Sequence, residues 1–437
     1  MLKLKLHWQI LIALVLAVIA GWLSGADGAI FGVKLAGVYD FLGTIFIRAL
    51  KMIIVPLILS SIIVGVAGIG RASDLGKLGG RTVGFYMITG LLAVLVGLTY
   101  VNLITPGVAG GQPVGDQLAL EASKQQVSQD IAGGGGLSEL VQLFVRMVPE
   151  NVISTAGNNG DLLALIFFAL LFGFFMTRVG DDYAEPLYNF WNGIFQVMMR
   201  ITHFIMLFAP IGVFGLVAKV VAETGFTAIE PLTVFALTVL AALLTHALII
   251  MPLLIRFVAK VSPWRLYRAM APALLTAFST ASSSGTLPIT MDCLEKNAKV
   301  SNRVSSFVLP LGATMNMNGT ALYECVAVMF LAQAYGLHLS FAVQFTVVIT
   351  ALLTSIGVAG VPSASIVAIG MILGAVGLPM EAMGVLFVFD RVLDMARTSL
   401  NVFGDGACAV IVARLQGEED VLREDPRAIE ATASESS

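Results

Sequence analysis

The sequence predicts an all-α polytopic membrane protein in which two apolar segments enter the membrane and turn back. Three observations predict it. Of the 437 residues, 57% are hydrophobic and only 12% charged, about half the charged share of an average soluble protein. Apolar runs long enough to cross a bilayer recur from the first dozen residues to Arg414. Two of these runs are interrupted near their middles by Gly, Ser and Pro.

The first run, "MLKLKLHWQILIALVLAVIAGWLSG", starts with basic residues but has no small-residue cleavage site, so it reads as a membrane helix rather than a removable signal. Further blocks fall at 38–69, 79–105, 138–177, 185–220, 227–258, 262–294, 300–335, 340–378 and 380–413. The longest of them are expected to be broken, tilted or split. Residues 106–137 hold a Gly-, Gln- and Ser-rich segment that reads as a flexible, solvated loop. The charged stretch 415–437 reads as a disordered tail. The four histidines and three cysteines are scattered without metal-ligand or disulfide spacing, which predicts packing roles and no cofactor.

The seventh block is broken by "TASSSGTLP" (280–288) and the ninth by "SIGVAGVPSAS" (355–365). Backbone of this kind cannot face lipid, because its N–H and C=O groups would go unpaired; it belongs inside protein or beside a wet cavity. A matched pair of such segments points to a transporter site built from inverted repeats. If both return to the side they left, the basic clusters at Lys3 and Lys5, at Arg71 to Arg81, at Arg256 to Arg268 and at Lys296 to Arg303 all lie on one face. Both termini are then cytoplasmic, in the plasma membrane (the inner membrane in a bacterium).

The last block carries the sharpest chemistry, "DRVLDMARTSLNVFGDGACAV". At about 100° per residue, Asp390, Asp394, Arg397, Thr398, Asn401 and Asp405 fall within an arc of about 100°. Such a face must look inward, since a charge facing lipid is costly. Arg391 lies at its edge, placed either to neutralise an aspartate or to reach the interface. Counting three aspartates against Arg397 leaves net negative charge that a dry site cannot hold. An acidic amino acid answers this: its side-chain carboxylate forks onto Arg397 and its ammonium meets Asp394. Asp405 and Asn401 remain as oxygen donors for a hard cation such as Na⁺.

Together with "SSSGTLPIT", "GATMNMNGTALYE" and "SIGVAGVP", this run resembles the dicarboxylate/amino acid:cation symporter family, the glutamate and aspartate transporters, over the chain from its first helix to about Arg414. The resemblance implies a homotrimer of eight transmembrane helices and two re-entrant helical hairpins working as an elevator. A scaffold (1–78 and 138–222) would hold the trimer, and a transport domain (79–105 and 223–414) would carry the substrate. It implies substrate contacts at Ser283, Thr320, Val361, Asp394, Arg397, Thr398 and Asn401. The "RTSLN" run is similar to the amino acid branch rather than the dicarboxylate branch. Similar archaeal chains have an arginine where this one has Ala281, and animal chains have theirs where it has Met395.

Coupling ions H⁺ and/or Na⁺ follow from the same resemblance. One cation site would use Gly312, Asn316, Asn401 and Asp405. Another would use backbone carbonyls near Thr314, Ser355, Ile356 and Val358. A third, at Tyr86, Thr89 and Asn318 with Asn316, has Asn318 where sodium-coupled members carry aspartate, which lowers the expected affinity steeply. Glu324, inside an apolar helix and costly to ionise there, is the expected proton carrier. Among rival readings, a C4-dicarboxylate symporter of the same fold lacks the ammonium that Asp394 would meet. An anion channel is opposed by the negative face. A hydrolase using Ser282–Ser284 has no His or Lys nearby in sequence to activate a serine, so no enzyme is expected.

Overall fold

The structure is a computed structural model that describes residues 6–73, 77–118, 120, 145, 148–157, 162–337, 339–357 and 364–423. The apolar blocks become helices: α1 (Leu6–Ser24), α2 (Leu35–Ser73), α3 (Lys77–Ile104), α4 (Val152–Gly157), α5 (Leu162–Met176), α6 (Asp181–Met206) and α7 (Ala209–Thr224). They continue as α8 (Ile229–Ala259), α9 (Pro263–Thr280), α10 (Ser283–Asp292), α11 (Asn302–Met315), α12 (Asn318–Ala334), α13 (Phe341–Gly357), α14 (Ala364–Ala375) and α15 (Phe387–Leu415). Two short hairpins, Ala29–Ile30 with Val33–Lys34 and Val108–Ala109 with Gln112–Pro113, are the only strands among the described residues. The chain is thus mostly helical, with several helices long and apolar enough to cross a membrane. The block expected at 185–220 is the pair α6–α7, bent by 55° at its break.

Packing sorts the helices into two groups. Helices α5, α6 and α7 pack on α2, with α1 against α7. Helices α9, α11 and α12 surround α15, and α3 lies along α12. The span Met380–Leu415 is 83% buried over its apolar window, against 28% to 44% for the other long spans. The helix that carries buried charge is therefore the one most enclosed by protein, as the cost of charge in hydrocarbon requires.

The seventh block does turn back. Ala281 takes a left-handed conformation (φ 51°, ψ 41°) at the end of α9, and the Ser282 hydroxyl accepts from the Gly285 N–H at 3.1 Å to cap α10. At the other end of the second arm, the Asn297 amide donates to the Ala269 carbonyl at 3.1 Å, pinning it beside the start of the first. The tip of the other expected hairpin, 358–363, lies outside the described residues, as do the side chains of Val358 and Val361.

The eighth block, one of the long ones expected to be broken, breaks at Asn316 (φ −97°, ψ 78°) and Met317 (φ −111°, ψ 56°), with neither Gly nor Pro at the break. Two expectations need correction. The loop expected to be flexible is anchored where it begins. The Gly107 N–H donates to Gln333 at 3.1 Å, and Val114 and Leu118 are buried. Its continuation, 121–137, lies outside the described residues.

The tail is docked as far as Arg423. Val421 and Leu422 are 1% and 2% exposed. Arg265 donates to the carbonyls of Leu422 and Arg423, and the Leu422 N–H to that of Ala298. The Glu418 carboxylate accepts from the backbone and hydroxyl of Ser301. A charged composition suggests solvation, but here the charges fasten a short apolar pair into the core. The remaining tail, 424–437, lies outside the described residues.

Candidate functional site

The polar stripe of α15 faces α12 across the break in the eighth block. Arg397, fully buried, donates through Nη2 to Asp390 at 2.9 Å and to Asp394 at 3.0 Å. Its guanidinium lies 3.8 Å from the centre of the Tyr323 ring on α12, a cation–π contact away from water. Nε and Nη1 of Arg397 are buried without a hydrogen-bond partner among the described residues. A buried guanidinium with free donors calls for an acceptor, because each unmet donor carries its full desolvation cost.

The charge count from the sequence changes at Arg391. This residue is 5% exposed, and its Nη1 lies 3.6 Å from Asp394 Oδ2. Spacing of i and i+3 on a helix puts it directly over Asp394. Asp390 and Asp394 are therefore matched by Arg391 and Arg397, and the uncompensated carboxylate on the stripe is Asp405 alone. Of the two roles open to Arg391, the structure selects the inward one.

Asn401 ties α15 to the first turn of α12. Its Oδ1 accepts from the Gly319 N–H at 2.8 Å, and its Nδ2 donates to the Thr320 hydroxyl at 3.1 Å. The structure thus joins the expected substrate residues Thr320, Asp394, Arg397 and Asn401 on two facing helices. Thr398 is buried beside Arg397, and Ser283 is buried at the start of α10, which packs against α15.

One turn further on, oxygen-bearing groups converge around Asp405. Asn316 Nδ2 donates to Asp405 Oδ1 at 2.9 Å, while Asn316 Oδ1 is buried without a partner among the described residues. A side chain at Gly312 could not be accommodated, since a Cβ there would lie 2.4 Å from Asp405 Oδ1 and 2.6 Å from the Tyr86 hydroxyl. An unpaired amide oxygen beside a lone carboxylate is a donor set that suits a hard cation. Asn401 belongs to this group by position, but both polar ends of its amide are engaged with α12.

The third expected site is weaker. Tyr86 donates to the Val308 carbonyl at 2.9 Å, and Thr89 to that of Phe85, also at 2.9 Å. Asn318 Oδ1 is 3.5 Å from the Thr89 hydroxyl, and its Nδ2 is buried without a partner among the described residues. A Cβ at Gly404 would press on Nδ2 of both Asn316 (2.7 Å) and Asn318 (3.1 Å), so only glycine lets these amides reach α15. The set holds no formal charge of its own, and the buried Asn318 amide group is a donor, which a cation cannot use. Asn318→Asp is expected to lower the Na⁺ concentration that half-saturates transport by on the order of tenfold, since ligand charge sets affinity. A titration of uptake against Na⁺ checks this; an unchanged curve would mean residue 318 alone does not set the site.

Glu324, also fully buried, accepts from the Thr354 hydroxyl of α13 at 2.9 Å through Oε2, and its Oε1 has no partner among the described residues. Of the remaining expected residues, Ser355 donates to the Leu352 carbonyl at 2.8 Å, and Ile356 lies in the same helix, α13. Thr314 is exposed and donates to the Leu311 carbonyl; Val358 lies outside the described residues.

Residues 6–415 match the model of the sodium:dicarboxylate symporter family. The chain belongs to that family. It is 34% identical to the proton/glutamate-aspartate symporter of Escherichia coli K12 over 420 residues, covering 96% of this chain and 94% of the relative. It is similarly 34% identical to the proton/sodium-glutamate symport protein of Bacillus caldotenax, with 96% of each covered. Against excitatory amino acid transporter 3 of Homo sapiens it is 35% identical over 489 residues, covering 98% of this chain and 91% of the relative.

Within this member of the sodium:dicarboxylate symporter family, the sequence reading missed two partners of the site. Tyr323 precedes Glu324 in the same quoted motif and covers Arg397. Thr354, one residue before the second break, holds Glu324. Both sit in apolar runs where a lone polar group looks incidental. The signal was available in principle, because each places a polar atom where the lipid reading leaves none to pair with it.

Proposed function

We propose that the chain is a secondary symporter that moves glutamate or aspartate inward together with Na⁺, H⁺ or both. The observation that carries this is the Arg397 guanidinium, buried and paired through Nη2, with Nε and Nη1 left to receive a carboxylate. A planar guanidinium recognises such a group in a way a lysine would not. Asp394 lies on the same face to meet an ammonium, and Thr320 and Asn401 supply neutral polar groups beside it. The names of the E. coli, Bacillus and human relatives, which print glutamate, aspartate or excitatory amino acids, support the same substrate class.

In this reading Asp405 and Asn316 hold a sodium ion as cargo, and Glu324 carries a proton. The link from Glu324 to Thr354 connects that proton to the first arm of the second hairpin, so protonation and closure of the arm are coupled. The packing of helices into two groups supports a scaffold (1–78 and 138–222) and a transport domain (79–105 and 223–414) that slides as an elevator. A homotrimer, eight transmembrane helices with two re-entrant hairpins, a multi-pass place in the plasma membrane and cytoplasmic termini complete the proposal. The protein acts as a transporter and not as an enzyme.

The test is uptake of labelled aspartate and glutamate into liposomes holding the purified protein, with Na⁺ or H⁺ gradients imposed separately. Concentrative uptake under at least one gradient is expected. Failure of both labels to accumulate under either gradient would overturn the proposal.

A further inference from the structure

The seam between the two helix groups carries an ion pair. Lys51 of α2 donates to the carboxylate of Glu381, in the short helical segment Met380–Leu386 that leads into α15. The contacts beside it are apolar. The rings of Phe46 and Phe387 lie 5.6 Å apart, and a Cβ at Gly384 would lie 3.3 Å from Leu216 of α7 and 3.7 Å from Ile47. Apolar burial rewards area and has no direction, so it does little to choose one position along the seam over another. A charge pair does choose, because in a wet setting its attraction fades within a Debye length.

The two groups also end at different levels. Helices α2 and α7 run antiparallel, with Lys219 donating to Asp40 at 2.7 Å and a Cβ at Gly212 pressing on Phe46. Leu35 and Thr224 therefore end the first group at about the same height. Phe46 and Lys51 lie about 16 Å and about 24 Å along the helix axis from Leu35. Since Phe387 and Glu381 meet those two residues, the start of α15 is recessed below the end of α2. A cavity of about 600 Å³ occupies the recess, lined from Glu223, Asp40 and Lys219 above to Lys51 and Glu381 below. With side-chain exposures of 22% and 70%, Lys51 and Glu381 border this cavity, which is the space a rising transport domain would fill.

We propose that Lys51 and Glu381 are positioning residues for the sliding step: their pair is a latch that holds the transport domain in the recessed position and must break before it rises. This inference rests on the sliding of the two groups proposed above.

The experiment reads that position directly. Leu216→Cys and Gly384→Cys are placed together in the full-length protein in liposomes, where the three native cysteines are buried. Under a membrane-permeant oxidant, their disulfide forms while the seam is as seen here. Lys51→Gln or Glu381→Gln, added to this parent, should slow disulfide formation about two- to fivefold, the size of a partly exposed ion pair. The charge swap, Lys51→Glu with Glu381→Lys, should restore the rate, which a loss of packing alone would not do. Raising salt from about 10 mM to about 1 M should slow the parent and leave Glu381→Gln unchanged, since screening acts on the pair. Equal rates in the parent and both single variants, or a swap that restores nothing, would overturn the inference. Should the variants not fold, a parent rate indifferent to salt overturns it as well. If the completed disulfide leaves aspartate uptake intact, the groups do not slide and the failure belongs to the proposed function. If it stops uptake but forms at a rate that ignores Lys51 and Glu381, the failure belongs to this inference alone.

Discussion

Arg397→Ala is expected to abolish saturable uptake of aspartate and glutamate. The side chain is the common partner of Asp390 and Asp394, and its Nε and Nη1 have no hydrogen-bond partner among the described residues, which leaves them for the ligand carboxylate of the proposed function. Truncating a buried, hydrogen-bonded charge of this kind costs about 2 to 5 kcal/mol of binding, so affinity should fall by about thirtyfold or more. The same change also removes the main counter-ion of two buried aspartates, which costs about 3 to 5 kcal/mol of stability where one partner of a buried pair is deleted. Arg397→Lys separates the two effects. It restores a positive charge to the aspartates but not the planar fork, so folding should recover while affinity stays low. Equilibrium binding of labelled aspartate, measured beside a thermal unfolding curve, reads both. Binding within a few fold of wild type in folded Arg397→Ala would refute the carboxylate role.

Glu324→Gln is expected to remove the response of uptake to an imposed pH gradient. The glutamine keeps the shape and can keep the Thr354 contact, but it has no proton to gain or release. In the wild type, acidifying the outside favours the protonated carboxyl, and the proton then travels with the substrate, so uptake rises as external pH falls. Each pH unit across the membrane adds about 1.4 kcal/mol per proton carried, or about tenfold in accumulation. The variant should show a flat line where the wild type shows this slope, with any Na⁺-driven uptake retained. A slope that survives the substitution would exonerate Glu324.

These two residues illustrate what the sequence could and could not tell. The stripe on α15 was legible because a regular helix turns spacing directly into a face, and charged residues on one face of an apolar helix have few places to go. The bent pair α6–α7 and the returning arm at Ala281 were likewise signalled by length and by Ser and Gly at the break. The break at Asn316–Met317 was not, since neither residue is a usual helix breaker. The clue lay in the pair of asparagines, whose side chains are now seen beside the Gly404 turn of α15.

The inward turn of Arg391 was undecidable from the helical wheel, because a residue at the edge of an arc is placed by its neighbours' packing and not by its own angle. The pairings of Tyr323 with Arg397 and Thr354 with Glu324 needed tertiary structure outright, since they join residues of different helices. The docked segment after Leu415 was misread for a similar reason. Its composition is that of a solvated tail, and only the carbonyls it offers to Arg265 reveal otherwise.

That segment also bears on where the chain can be trimmed. The match to the family model ends at Leu415, yet the eight residues that follow are docked, with Val421 and Leu422 buried. A version trimmed at Leu415 would strand Arg265 without the carbonyls of Leu422 and Arg423, and Arg414 Nη1 without those of Glu418 and Glu419. Purification handles and fluorescent fusions therefore belong after Arg423.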